Sequence, residues 1–292
     1  MSANVQTAVF PAAGLGTRML PATKTFPKEL LPLVDRPIIQ YGVEEAVNSG
    51  IRRVVLVTKP SNTLTRAHFS ADPELEAILE ERGKIDALAA VRALSVMAEV
   101  KTVHQEQPLG LGHAILAAKS EVGDEAFAVV LPDDVIDAAT PALQQMTDVF
   151  AEVGGPVLLV ERVPPDAIQR YGINDATPIR NGVFEIRDLV EKPTPEMAPS
   201  NLGIIGRYIL TPDLFTALEK TAPSRDGEIQ LTDGIAILMQ DTSLYAYRFD
   251  GVRYDVGNPM GLLKATLELA LEREDMGSEV REYIKVLART LD

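Results

Sequence analysis

Four short apolar runs alternate with helix-patterned stretches through the first half of this chain: Ala8-Val9-Phe10, Arg53 to Thr58, Val100 to His104 and Ala126 to Leu131. Continuous runs of that length suit strands buried on both faces. Ile38 to Ser49 has the pattern of a helix stopped at Gly50. Strand, helix, strand at this spacing predicts a right-handed parallel crossover. Pro141 to Val153 is a further predicted helix, and Gly155 to Val163 a fifth strand. The repetition predicts a parallel sheet with helices on both faces. Residues 61–100 are helical and charged, with Asp72-Pro73-Glu74 as a helix start, and form an insertion or a peripheral helical pair.

After residue 163 the texture changes. Gly182 to Val190 alternates like an antiparallel strand, and Asn201 to Leu210 is another strand. Thr211-Pro212-Asp213 opens a helix by the N-cap and N1-proline rule. Leu231 to Gln240 is a helix, Leu244 to Phe249 a strand, and helices near 259–273 and 277–289 close the chain. The fold class is α/β: a Rossmann-like mixed, mainly parallel sheet flanked by helices. The 292 residues are expected to form one domain. Its parts are a nucleotide half (1–163), a second half (164–258) and C-terminal helices (259–292).

The first strand runs into Pro11-Ala12-Ala13-Gly14-Leu15-Gly16-Thr17-Arg18. Glycines let a ligand approach the main chain closely, and successive N–H groups in such a turn form an anion-binding concavity. Lys24 and Pro27-Lys28-Glu29-Leu30-Leu31-Pro32 follow. A nest, a guanidinium and two ammonium groups suit a polyphosphate. A dinucleotide fingerprint needs a third glycine where Met19 stands, and a P-loop needs Gly-Lys-Ser/Thr. The alternative is a strand-to-helix turn that uses glycine for geometry alone.

Composition narrows the partners. The net charge of −14 disfavours nucleic acid and anionic membranes. An anionic substrate must therefore find a locally positive pocket or bring a divalent cation. No run of 18 apolar residues is present, and the N-terminus lacks a basic segment followed by an apolar stretch, so cytoplasm is the expected compartment. Cysteine is absent, which excludes disulfides and thiol catalysis. His68, His104 and His113 lack metal-ligand spacing.

Ligands bind at the carboxyl ends of strands in open parallel sheets. Four clusters fall at predicted strand ends: Ala12–Arg18, Gln107–His113, Asp133-Asp134 and Glu191-Lys192. Asp133-Asp134 can cap a helix or hold Mg²⁺ together with substrate phosphates. Gln107 can be a surface residue before a helix, or it can read a base. Its carboxamide suits uracil, and flipped it suits cytosine. Glu191-Lys192 can be no more than a charged strand end.

The loop Gly-Leu-Gly-Thr-Arg-Met-Leu-Pro-Ala-Thr-Lys with Pro-Lys-Glu-Leu-Leu-Pro resembles the sugar-nucleotide pyrophosphorylases, in particular the bacterial UTP–glucose-1-phosphate uridylyltransferases. Later stretches fit the same family over nearly the whole chain. The resemblance implies that UTP and α-D-glucose 1-phosphate give UDP-glucose and pyrophosphate, with Mg²⁺ as cofactor. It implies Arg18 and Lys28 as catalytic residues and Asp133 and Asp255 as metal ligands. Ala12, Ala13, Gly14, Gly16, Thr17, Glu29, Gln107 and Gly112 would bind the nucleotide. Asp134, Gly172, Glu191, Lys192 and Gly203 would line the sugar-phosphate site, making 164–258 the sugar-phosphate half. A homo-oligomer, dimer or tetramer, is expected, with residues 61–100 or 259–292 at the interface. The rival readings are the same chemistry with dTTP or a hexosamine phosphate, and a non-catalytic sugar-nucleotide sensor. A dehydrogenase is third.

Overall fold

A computed structural model describes residues 5–291. The chain enters through β1 (Thr7–Pro11) and turns through three 3-10 segments, Thr17–Met19, Ala22–Lys24 and Lys28–Leu30. A hairpin of β2 (Pro32–Leu33) and β3 (Arg36–Pro37) leads to α1 (Ile38–Asn48) and β4 (Arg53–Thr58). The helices α2 (Leu64–His68), α3 (Pro73–Glu81) and α4 (Ile85–Val96) separate β4 from β5 (Glu99–His104). Next come α5 (Leu111–Ala117), α6 (Lys119–Val122), β6 (Phe127–Val130), β7 (Asp134–Asp137), α7 (Ala142–Val153) and β8 (Val157–Arg162). The remainder holds β9 (Gly172–Arg180), β10 (Val183–Glu191), β11 (Leu202–Leu210), α8 (Asp213–Lys220) and α9 (Leu231–Leu238). The last elements are β12 (Tyr245–Arg248), β13 (Val252–Asp255), α10 (Pro259–Glu272) and α11 (Gly277–Ala288).

One nine-stranded mixed sheet runs through the molecule in the order β5-β4-β1-β6-β11-β8-β12-β10-β9. Pairing is parallel among β5, β4, β1 and β6, and again between β8 and β12. The other neighbouring pairs are antiparallel. Parallel pairing therefore dominates the first four strands and gives way beyond them.

Side chains alternate across each strand, so β1 sends Ala8 and Phe10 into one layer and Val9 into the other. Ile39 and Val43 of α1 and Leu143 and Met146 of α7 cover the first face. Ile115 of α5, Leu218 of α8 and Ile235 of α9 cover the second. Each such side chain, fully buried, contributes about 1.5–3 kcal/mol. Among the described residues, no helix is long and apolar enough to cross a membrane.

One local expectation needs correction. α8 starts at Asp213 with Pro212 in the cap position, and Thr211 makes no cap: its hydroxyl is buried without a partner. α3 does start as predicted, with the Asp72 carboxylate accepting from the Leu75 N–H. β9 has no counterpart in the sequence pattern, because Asn174 and Pro178 are poor strand formers. It lies at the sheet's edge, where a proline's missing N–H costs no ladder bond.

Candidate active site

The loop after β1 prolongs the sheet by one bond, from Ala12 N–H to Val57 O at 2.7 Å, and then leaves it. Gly16 takes φ 64°, a left-handed value that favours glycine. Its carbonyl accepts from the Thr23 hydroxyl at 2.7 Å, folding the loop back over residues 23–28. That fold aims Lys28 at the end of β6: Lys28 Nζ donates to Asp133 Oδ2 at 2.7 Å. Arg18 Nη2 lies 3.6 Å from the same oxygen, on a side chain 60% exposed. Burial pulls the Lys28 pKa down, but Asp133 outweighs it and the ammonium sits above its ordinary value. Burial pushes Asp133 up, but Lys28 outweighs it and the carboxyl sits below its ordinary value. Both are therefore charged at neutral pH.

A second carboxylate reaches the same place from the other end of the sequence. β13 pairs antiparallel with β7, setting Asp255 opposite Asp134, and the Val256 N–H donates to Asp133 O at 2.9 Å. A methyl group built on Gly257 would lie 2.9 Å from Asp133 Oδ2, 3.1 Å from Asp255 Oδ1 and 2.9 Å from Arg18 Nη2. The three side chains thus converge on one point, and only a glycine leaves it open. Among the described residues no group of three or more His, Cys, Asp or Glu side chains could hold a metal. Two convergent carboxylates fit Mg²⁺, which takes one or two carboxylates and completes its shell with water and substrate phosphates.

Two cavities meet at Asp133. The first, about 490 Å³, is lined by Ala13, Gly14, Gly16, Thr17, Lys28, Gln105 and Gly110. The second, about 360 Å³, is lined by Arg18, Asp134, Gly172, Glu191, Lys192 and Asp255, with Tyr171, Thr232 and Arg253. Leu111, Leu131, Asp133 and Glu228 belong to both walls.

In the second cavity Glu191 ends β10. Its carboxylate accepts from the Thr232 hydroxyl at 2.8 Å and meets Lys192 Nζ at 2.7 Å. Lys192 has φ 45°, a conformation costing on the order of 1–3 kcal/mol for a non-glycine residue. A bond from its N–H to Tyr171 O at 3.1 Å holds it there. A Cβ on Gly172 would sit 3.3 Å from both Glu191 Oε2 and Thr232 Oγ1, so this glycine keeps the pair accessible.

Several expected residues lie elsewhere. Gln107 is exposed and lines neither cavity; Gln105, 6% exposed, lines the first. Gly112 is a packing glycine, its N–H bonded to Ile229 O at 2.8 Å, whereas Gly110 lines the cavity. Gly203 faces Val163 and Tyr171. Ala12 and Glu29 line a third space of about 170 Å³, together with Lys24 and Lys59. Glu29 is 2% exposed with Oε1 unpartnered, and burial pushes its pKa up to about 7. Asp134 borders the second cavity, but both its oxygens are engaged. Oδ1 takes Arg253 at 2.6 Å and Oδ2 takes the Gly206 N–H at 2.7 Å. Burial raises its pKa against the pull of Arg253. The Arg253 guanidinium also donates to Glu161 Oε1 at 2.6 Å and Tyr171 Oη at 3.1 Å.

A sheet with two cavities sharing an acidic strand end suits an enzyme that brings two ligands together. The nucleotidyl transferase family model matches residues 7–272, and the chain belongs to that family. Its relatives include the UTP–glucose-1-phosphate uridylyltransferase of Staphylococcus epidermidis, 45% identical over 97% of this chain and 98% of its own length. The enzyme of the same name from Bacillus subtilis is 44% identical over 97% of each. A solved UDP-glucose pyrophosphorylase from Acinetobacter baumannii superposes with a TM-score of 0.91 at 40% identity, covering 97% of this chain and 100% of that one. A UDP-glucose pyrophosphorylase complexed with UDP-glucose gives 0.86 at 39% identity, over 92% and 100%. Membership in this family sets the dehydrogenase reading aside.

Proposed function

We propose that this chain is a UTP–glucose-1-phosphate uridylyltransferase, transferring uridylyl from UTP to α-D-glucose 1-phosphate and releasing pyrophosphate. The observation that carries the reading is the meeting of the two cavities at Asp133, flanked by Lys28, Arg18 and Asp255. The names and full-length coverage of the relatives support the choice of substrates.

UTP occupies the first cavity, with its base at Gln105 and its phosphates along residues 13–18. Glucose 1-phosphate occupies the second. Glu191 accepts hydrogen bonds from sugar hydroxyls, and Lys192 neutralises the sugar's phosphate. An oxygen of that phosphate attacks the α-phosphorus of UTP in line. The new P–O bond forms as the bond to the pyrophosphate oxygen breaks, and Arg18 stabilises the leaving group. Lys28 neutralises charge near the α-phosphate. Asp133 and Asp255 would hold Mg²⁺, which would supply neutralisation of the phosphate charge that makes the two reactants repel each other. Positioning and charge stabilisation provide most of the acceleration in such transfers.

Asp134, with both oxygens occupied, positions the wall of the sugar cavity and leaves the metal to Asp133 and Asp255. The protein works in the cytoplasm and as a homo-oligomer; Met260 and Leu263 of α10 and Tyr283 and Val286 of α11, all exposed, support the oligomer.

Pyrophosphate release, measured across the common nucleoside triphosphates and several sugar 1-phosphates with and without Mg²⁺, tests the proposal. Release should be fastest with UTP and glucose 1-phosphate and should stop on chelation. No release from that pair overturns the reading, and UDP-glucose binding without release would favour the sensor.

A further inference from the structure

Gln105 follows β5 at the mouth of the nucleotide cavity, its N–H bonded to Thr58 O at 2.9 Å. Its amide nitrogen lies 3.0 Å from Gly110 O and 3.0 Å from His113 Nδ1. A carboxamide nitrogen carries two hydrogens and accepts nothing, while its oxygen only accepts. Gly110 O is an acceptor, so the nitrogen must point toward it. The second hydrogen then goes to His113 Nδ1, which must be the unprotonated ring nitrogen. Both donors are consumed, and among the described residues nothing bonds Oε1. A flipped amide would set its oxygen against the Gly110 carbonyl oxygen, two acceptors at 3.0 Å.

The corner is rigid. Gly110 has φ 93°, and a Cβ there would sit 2.8 Å from Glu228 Cβ and 2.9 Å from Ile229 O. His113 stands on the first turn of α5, so helix and loop hold the two acceptors in fixed relation.

We propose that His113 is a positioning residue for base selection: by accepting at Nδ1 it holds the Gln105 carboxamide with its oxygen toward the base. This deepens the reading of the cavity as a UTP site and rests on it. A lone acceptor at that point meets the N3–H of uracil or a 5-methylated uracil. It repels cytosine, whose N3 carries a lone pair. His113 therefore acts on uracil against cytosine and is indifferent to the 5-methyl group.

The test is kcat/KM for UTP, CTP and 5-methyl-UTP at fixed glucose 1-phosphate, in wild type, His113→Phe, His113→Asn and His113→Lys. Loss of one oriented hydrogen bond, about tenfold in an equilibrium, sets the scale. His113→Phe should lower the UTP/CTP ratio about tenfold and leave the UTP/5-methyl-UTP ratio where it was. His113→Asn, whose Oδ1 restores an acceptor, should keep most of the preference. His113→Lys, which offers only donors, should lower the ratio at least as far as Phe. An unchanged UTP/CTP ratio in Phe or Lys overturns the inference, and so does an Asn variant no better than Phe. Should Phe fail to fold, the Asn–Lys contrast decides alone. A wild type indifferent between UTP and CTP would instead overturn the uridylyltransferase reading itself.

Discussion

Lys28 is both the nearest cation to Asp133 and the residue on which the Gly16 turn closes. Lys28→Ala should lower kcat by on the order of 10²-fold, the common cost of losing one preorganised charge donor. A steady-state assay showing near-normal kcat would remove Lys28 from the mechanism. Lys192→Ala acts on the other reactant and should raise KM for glucose 1-phosphate far more than for UTP; equal rises would contradict its assignment. Glu29, behind Lys28, tests burial rather than catalysis. Its carboxyl moves from an ordinary 4.5 to about 7 in the folded chain. An acid with a raised folded pKa contributes stability that is complete below 4.5 and lost as pH climbs to about 7. Glu29→Gln should cancel that loss, so the variant should gain on wild type across this window by about 3 kcal/mol at 1.36 kcal/mol per unit. Urea midpoints at pH 5 and pH 8 read it; parallel profiles would refute it. The loop residues and Lys28 were legible in the sequence because glycine, arginine and lysine in this order carry their chemistry locally. Gln105 was not, since two glutamines lie within three positions and only the end of β5 tells which one turns inward.

The ribbon of β7 and β13 joins residues about 120 positions apart, and Arg253 is its fastener. One guanidinium holds Asp134, Glu161 and Tyr171, which belong to different elements around the second cavity. A lysine presents a point charge where a planar fork is needed. Arg253→Lys should therefore raise KM for glucose 1-phosphate about tenfold with little change for UTP. Arg253→Met leaves buried carboxylates without their cation, a loss of about 3–5 kcal/mol, and calorimetry should show a markedly lower Tm. A Lys variant with both KM values unchanged would confine Arg253 to a role in stability. Helices and central strands were legible from periodicity to within a residue or two. This ribbon was not: strands of four residues are too short for a pattern to stand out, and their pairing depends on contacts distant in sequence.

At the scale of the molecule, a buried ion pair ties the layers together beneath the site. Arg207 of β11 meets Glu45 of α1 at 2.7 Å, and Glu45 also accepts from the Leu143 N–H of α7. Arg207→Met should strand Glu45 and lower unfolding free energy by about 3–5 kcal/mol, readable as a shifted denaturant midpoint; a shift under 1 kcal/mol would show that this pair does not tie the layers together. The position of β11 has a wider consequence. It comes from the later part of the chain yet lies wedged between β6 and β8 of the earlier part, just as β12 lies between β8 and β10. A ribosome that had finished only the first 163 residues would have made a sheet with a missing plank and two raw edges. Folding of this enzyme must wait for the later strands, and its reactant-holding parts cannot be exchanged between proteins by simple splicing.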